Sequence, residues 1–380
     1  ARWQPDRRHP LPAGLGPFRR RRAAAALREA EKDARRIAAQ APLRKHLMFE
    51  GVDLSPLLEP RLARAADLLS CAAGVAAAAE RILPETGTRL VASVYFSSPL
   101  THGVAVGARR AGIPVVTMQH SSYGESPWPI ARWVDGVMSD WKLVGGEGTA
   151  EHVRKREASG ATPVATGMPR LDGLLARARA PPREGPVRVV YPLTGYVKNR
   201  IMYAGRRTTL TEYFSTNRRI LEALAAVPGA SVLVRPHPAA EFRASVDALT
   251  AWARDRGMDN VAFRSGGSAH DEFCAADLVV VDSPSTVLLD AATAPTRLAV
   301  FNGVFDMLPE ALDALRLRVS LYGEDIDSFV RDLPAVVAGA RAAPPPDDTT
   351  FLRMYATHLH DGRSGERASE ALRRIARGEA

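Results

Sequence analysis

What this sequence lacks narrows the field before any motif is read. Its 380 residues hold two cysteines, Cys71 and Cys274, far apart and in apolar surroundings. That pair supplies neither a disulfide framework nor metal-ligand spacing, and it fits a reducing compartment. No apolar run reaches the roughly 18 residues that span a bilayer, and the alanine-rich stretch 71–79 is too short. The charged start has no apolar core of a secretory leader. No Gly-x-Gly-x-x-Gly follows a strand and no Walker loop is present, so ATPases and ordinary dinucleotide dehydrogenases lose their signature. A His-Glu-x-x-His, a cysteine cluster and a Gly-x-Ser-x-Gly elbow are also missing, which removes support for metal and serine hydrolysis. RRM, KH, zinc-finger and helix-turn-helix signatures are absent, so no specific nucleic acid is expected. No bound metal and no resident cofactor is expected either.

What is present is a globular composition, 46% hydrophobic and 24% charged, on a chain long enough for two domains. The net charge is +9, from 51 basic and 42 acidic side chains. Part of the excess is local, at Arg2, Arg7, Arg8 and the run Arg19 to Arg22. Such an arm is either a solvated tail or an electrostatic contact for an anionic membrane surface or nucleic acid. The expected location is cytoplasmic, peripheral at the inner face of the cell membrane.

Along the chain, four prolines make 1–18 irregular, and 22–40 and 60–83 read as helices. The pattern then changes. A strand Leu90–Phe96, a helix Thr101–Ala111 and a strand Ile113–Gln119 form a βαβ unit. Further strands are expected at Gly136–Trp141 and Thr162–Thr166, with a helix at Ala150–Ser159. Pro181, Pro182 and Pro186 mark a linker. Beyond it, strands Val187–Tyr191, Ser231–Val234, Val261–Phe263, Leu278–Val281 and Thr296–Phe301 alternate with helices near 211–226, 240–256 and 269–274. Pro344-Pro345-Pro346 precedes a helical tail over 349–378. The expected organisation is a basic helical segment 1–85, doubly wound domains 86–180 and 187–345, and a tail 349–380.

The most informative stretch is Asp277 to Asp290. Leu278 to Val281 has no polar break and suits a strand buried on both faces. Asp282 to Thr286 then turn, and Ser283 or Ser285 can cap the helix that follows. A strand feeding a helix N-terminus suits an anion such as phosphate, although an ordinary capped helix reads the same way. Arg235-Pro236-His237-Pro238 is a second such turn, expected on a successive strand of the same sheet. Its prolines hold His237 on a rigid mount at a strand end.

In the first half, His120 ends an apolar strand and His102 lies in a strand-to-helix turn. Either could take a proton from an acceptor hydroxyl, with Glu125, Asp135 or Asp140 as partner. Arg170 precedes the linker and faces either a cleft or its neighbour Asp172. Lys198 and Arg200, on the first loop of the second half, could neutralise a leaving phosphate.

Taken in order, Val116-Thr117-Met118-Gln119-His120, Gly167-Met168-Pro169-Arg170-Leu171-Asp172, Arg235-Pro236-His237-Pro238, Ala276-Asp277-Leu278 through Ser283-Pro284-Ser285-Thr286 and Asp361-Gly362-Arg363-Ser364-Gly365-Glu366-Arg367 resemble the GT-B glycosyltransferases. Within them, the CDP-glycerol glycerophosphotransferase (teichoic acid polymerase) group and the CMP-sugar-using polysaccharide transferases of bacteria are most similar. The resemblance spans roughly residues 89–370. It implies an α/β fold of two facing Rossmann-like, doubly wound domains, with a C-terminal helix crossing back. Residues 86–180 would take the acceptor and 187–345 the donor nucleotide. It also implies that His237, Ser283, Ser285 and Thr286 contact donor phosphate and ribose, that His120 is the base, and that no metal is required. The chain departs from the family at Ser121, where glycine commonly follows the histidine, and at Pro284, which interrupts a serine pair.

The expected function is transfer of a sugar or polyol phosphate from a CDP- or CMP-activated donor. The acceptor would be a surface glycan, a teichoic-acid-like polymer or a lipid-linked glycan. Arg235, Arg170 and Lys198 join the donor-binding set. Two alternatives stand beside it. One is a UDP-sugar 2-epimerase, which tends to carry a Ser-Gly-Gly turn at the phosphates. The other is a degenerate module that only binds glycan or nucleotide.

Overall fold

The computed structural model describes residues 32, 48–94, 96, 98–120, 137–155, 160–176, 184–194, 209–238, 243–303 and 306–379. The expected helix 22–40, apart from Lys32, and the basic run Arg19 to Arg22 lie outside them. The described residues fall into two compact units, one from Ala1–Val91 and Phe96–Val115, the other from Ala92–Tyr95 and Val116–Ala380.

The first unit holds a hairpin, β1 (Met48–Phe49) with β2 (Val52–Asp53), and two helices, α1 (Ser55–Glu85) and α2 (Pro99–Arg110). Alanine and glycine let the two helices meet. A Cβ on Gly103 or Gly107 would come within 2.6 Å of α1 atoms. Ser98 and Thr101 close a reciprocal cap at the start of α2. No described helix is long and apolar enough to cross a membrane.

A four-stranded sheet runs β3 (Val91–Ser93), β4 (Val115–Met118), β5 (Trp141–Val144), β6 (Thr162–Ala165), with β4, β5 and β6 parallel. It carries α3 (Glu147–Lys155) and α4 (Pro169–Leu175). The strand expected at Gly136–Trp141 is displaced. Asp140 stops short of the ladder, and β5 takes the residues that follow, among which Leu143 and Val144 are 1% exposed. The helix expected at Ala150–Ser159 starts earlier, at Glu147, while 156–159 are not described.

The second sheet has six parallel strands: β7 (Val187–Pro192), β8 (Ala230–Arg235), β9 (Val261–Phe263), β10 (Leu278–Val281), β11 (Arg297–Phe301) and β12 (Leu321–Gly323). Their order is β12-β11-β10-β7-β8-β9. Winding thus proceeds outward from β7 on one side, returns to the centre at β10, and proceeds outward again. The connecting helices are α5 (Leu210–Ala225), α6 (Arg243–Asp255), α7 (Ala269–Cys274), α8 (Thr286–Thr293), α9 (Pro309–Arg318) and α10 (Ile326–Ala338).

The period-two alternation explains why β10 lacks a polar residue. Leu278 and Val280 pack into one core with Ile220, Leu224 and Phe329, while Val279 and Val281 pack into the other with Leu288, Leu298 and Phe351. All four are fully buried, worth about 1.5–3 kcal/mol each.

Two features were not legible beforehand. The unit α9–β12–α10 extends the sheet by one strand. The tail is two helices, α11 (Thr350–Tyr355) and α12 (Ser364–Arg377), instead of one. The break falls at a turn that includes Gly362 at φ 72°. The tail crosses back onto the four-stranded sheet. Asp172 of α4 accepts from Ser364 N (3.1 Å) and Gly365 N (2.8 Å), capping α12. Arg367 donates to Thr166 O at 2.9 Å and pairs with Asp361.

Candidate functional site

In an open α/β sheet the ligand crevice lies at the carboxyl ends of the strands, where the winding reverses. Here that point lies between β7 and β10. Strand β10 feeds α8 directly. Ser285 is the N-cap residue of α8, yet its side chain makes no capping hydrogen bond. The first amides of a helix lack intrahelical partners, and the dipole favours an anion there. Ser283, the residue two before the cap, is fully buried, and its Oγ finds no partner among the described residues. Thr286 opens the helix, and Pro284 is buried.

Asp282 binds the switch point together. Its carboxylate accepts from Thr194 Oγ1 (2.6 Å), Tyr213 OH (2.7 Å), Asn217 Nδ2 (2.9 Å) and Tyr191 OH (3.1 Å). Thr194 N adds a longer contact at 3.3 Å. The donors come from β7, from the segment leaving it, and from α5. A reciprocal Thr209–Glu212 cap fixes the start of α5 and places Tyr213 and Asn217 one turn apart on one face. Burial pushes the Asp282 carboxyl up, and the hydrogen bonds from Thr194, Tyr213 and Tyr191 work against that shift. Burial, then the negative charge of Asp282, holds the Tyr213 hydroxyl well above the ordinary phenol range, so Tyr213 stays a donor.

The His-Pro turn sits at the end of β8. Because β7 separates β8 from β10, the two turns expected on successive strands are instead two strand spacings apart, about 9.5 Å. His237 is exposed there. Arg235 is committed elsewhere. Its guanidinium donates to Gly266 O at 2.5 Å and pairs with Glu272 at 2.9 Å, holding the loop after β9 and α7. Lys198, Arg200, Glu125 and Asp135 lie outside the described residues.

Arg170 pairs neither with Asp172 nor, within the described residues, with any other group than Asp290 in the middle of α8. Asp172 is occupied by the start of α12. His102 is tied into its own helix end, its Nδ1 2.8 Å from Ser98 O. His120 is exposed one residue beyond Gln119, at the carboxyl end of β4.

That edge of the four-stranded sheet is built with the tail. Gln119 Oε1 accepts from Gly145 N (2.7 Å), and Gln119 Nε2 donates to Tyr355 O (3.2 Å). Met168 N donates to Ala356 O (2.7 Å), and His358 N to Gly145 O (2.9 Å). Glycine is required at the approach. A Cβ on Gly145 would stand 2.2 Å from Tyr355 O, and one on Gly146 2.1 Å from Arg353 O. Sequence reasoning missed Tyr191, Thr194, Tyr213, Asn217, Gly145 and Gly146. The usable signals were the Tyr-x-x-x-Asn spacing in α5 and the glycine pair directly after an apolar strand. No three described His, Cys, Asp or Glu side chains converge to hold a metal ion.

No family model matches this sequence, and no curated protein does. Solved structures do resemble it. MnaA from S. aureus in a co-structure with UDP superposes with TM-score 0.54 at 12% identity, over 81% of this chain and 80% of that one. The UDP-GlcNAc 2-epimerase of Methanocaldococcus jannaschii, in complex with UDP-GlcNAc and UDP, gives 0.52 at 11% identity, over 80% of each chain. A glycosyltransferase from Rickettsia africae gives 0.50 at 10% identity, over 81% of each. At such identities the likeness is one of fold. The chain has the α/β fold of the GT-B type, with two parallel sheets and a tail that returns to the first.

Proposed function

We propose that this chain is a GT-B transferase that moves a sugar or polyol phosphate from a nucleotide-activated donor to a hydroxyl acceptor. The observation that carries the reading is the start of α8 at the switch point. There Ser285 leaves the helix uncapped, and Ser283 Oγ is buried without a partner among the described residues. A phosphate would satisfy both.

The donor's phosphates are assigned to Ser283, Ser285 and Thr286, with His237 two strand spacings away on the same edge and Lys198 completing the set. The acceptor oxygen bonds to the sugar carbon or to phosphorus, its proton passes to His120, and the bond to the nucleotide's leaving oxygen breaks. The negative charge that develops on that oxygen meets the fixed amides of α8, which need no reorganisation as the reaction proceeds. The donor nucleoside is assigned to cytidine and the acceptor to a surface or lipid-linked glycan on the sequence resemblance. The arginine-rich start is assigned to an anionic membrane surface.

A 2-epimerase acting on a UDP-sugar is the second reading, favoured by the fold shared with MnaA and the archaeal epimerase. Pro284 and Ser285, where such enzymes tend to carry glycines, weigh against it. Calorimetric titration with CMP, CDP, UDP and ADP separates the two. Binding of a cytidine nucleotide supports the transferase. Preference for UDP, with conversion of UDP-GlcNAc to its 2-epimer when no acceptor is added, supports the epimerase. Binding of none overturns both. Under the transferase reading, His237→Ala and Ser285→Ala raise donor KM, and His120→Ala chiefly lowers kcat. Full activity in His237→Ala would sink the donor assignment.

A further inference from the structure

The turn between α11 and α12 places three residues in the left-handed region: His358 at φ 53°, His360 at φ 58° and Gly362 at φ 72°. A Cβ makes that conformation unfavourable, and glycine avoids the cost. Gly362 does so, but the other two positions carry imidazoles. For His360 there is a local reason, since its Nδ1 lies 3.1 Å from Thr357 Oγ1. For His358 there is none of that kind. Its backbone N–H donates to Gly145 O, but its ring has no hydrogen-bond partner among the described residues. A strained backbone holding an unengaged, partly buried imidazole points to a role for the side chain itself.

The position agrees. Gly145 follows β5 and is bonded to Gln119, and His120 comes next in the chain. His358 is therefore fastened to the carboxyl edge of the first sheet, the edge of an open α/β sheet that meets ligands. Burial and the neighbouring Arg367 hold its pKa below the ordinary histidine value. Arg353 acts in the same sense, and Glu147 and Asp361 oppose it. At neutral pH a ring nitrogen lone pair is available as an acceptor.

We propose that His358 is a further binding residue on the acceptor side, its ring accepting a hydrogen bond from a substrate hydroxyl. The inference rests on the transferase reading above. The test uses the full chain and measures nucleotide released from CDP-glycerol or UDP-GlcNAc, whichever nucleotide the panel selects, with N-acetylglucosamine as the hydroxyl probe. His358→Gly removes ring and strain together. We expect its Tm to rise by about 2–4 °C, nucleotide Kd to stay within twofold, and probe-dependent release to fall at least tenfold. His360→Gly serves as the control and keeps release within twofold. Unchanged release in His358→Gly, or a fall in its Tm, overturns the proposal while leaving the transferase reading intact. If the wild-type chain binds no nucleotide, the transferase reading fails and this inference fails with it.

Discussion

Arg170 on α4 forms an ion pair with Asp290 on α8, joining the last helix before the linker to the helix that starts at the switch point. Both side chains are about one-third exposed, at 34% and 29%, so the pair is screened by solvent. Its value is positional. A double-mutant cycle of Arg170→Ala and Asp290→Ala should give a coupling energy of about 0.5–1 kcal/mol. Nucleotide Kd should change less than threefold in each variant. A tenfold loss in Arg170→Ala alone would instead make Arg170 a donor ligand.

The Asp282 carboxylate accepts hydrogen bonds from four side chains. Asp282→Ala removes from a buried site the acceptor shared by the hydroxyls of Tyr191, Tyr213 and Thr194 and the amide of Asn217. That should cost about 2–4 kcal/mol, read as a lower urea midpoint. Asp282→Asn keeps one acceptor oxygen and should fall between Ala and wild type. Nucleotide affinity should drop in the same order, because Thr194 ties the segment after β7 to the turn after β10. An unchanged midpoint in Asp282→Ala would remove the network from the account of the site.

Both histidines of the left-handed turn have lowered folded pKa values. For each, burial is the largest cause, followed by Arg367 for His358 and Arg353 for His360. The folded state thus favours neutral rings. Their contribution to stability is full above the unfolded value of about 6.5 and is lost as pH falls through the lower folded values. Thermal melts from pH 7.5 to 5 should show Tm falling with pH, and the fall should be shallower in a His358→Gly, His360→Gly double variant. Parallel curves for the two proteins would contradict this.

The strand Leu278–Val281 and its turn were legible because an uninterrupted apolar run admits few fates other than a strand covered on both faces. The alternation of strands and helices was legible for similar reasons, while most of the expected linker lies outside the described residues. The partners of Asp282 were not. Tyr191, Thr194, Tyr213 and Asn217 come from three elements, and only the folded sheet order brings them to one carboxylate. The ion pair of Arg170 was hidden in the same way, because Asp172 two residues on offered a local partner while Asp290 lies 120 positions on. Gly145-Gly146 reads as an ordinary loop unless the backbone that presses against it is known. The tail reads as one helix, because helical propensity carries no sign of a turn that uses histidine in a left-handed conformation.

The contact between Gln119 and the carbonyl of Tyr355 also sets a timetable for synthesis. The two residues are 236 positions apart. At about 5–20 residues per second, the ribosome delivers the second roughly 10–50 s after the first. Until then the carboxyl edge of the first sheet waits for the partners of Gly145 and Gln119, so this edge is completed well after its own strands are made.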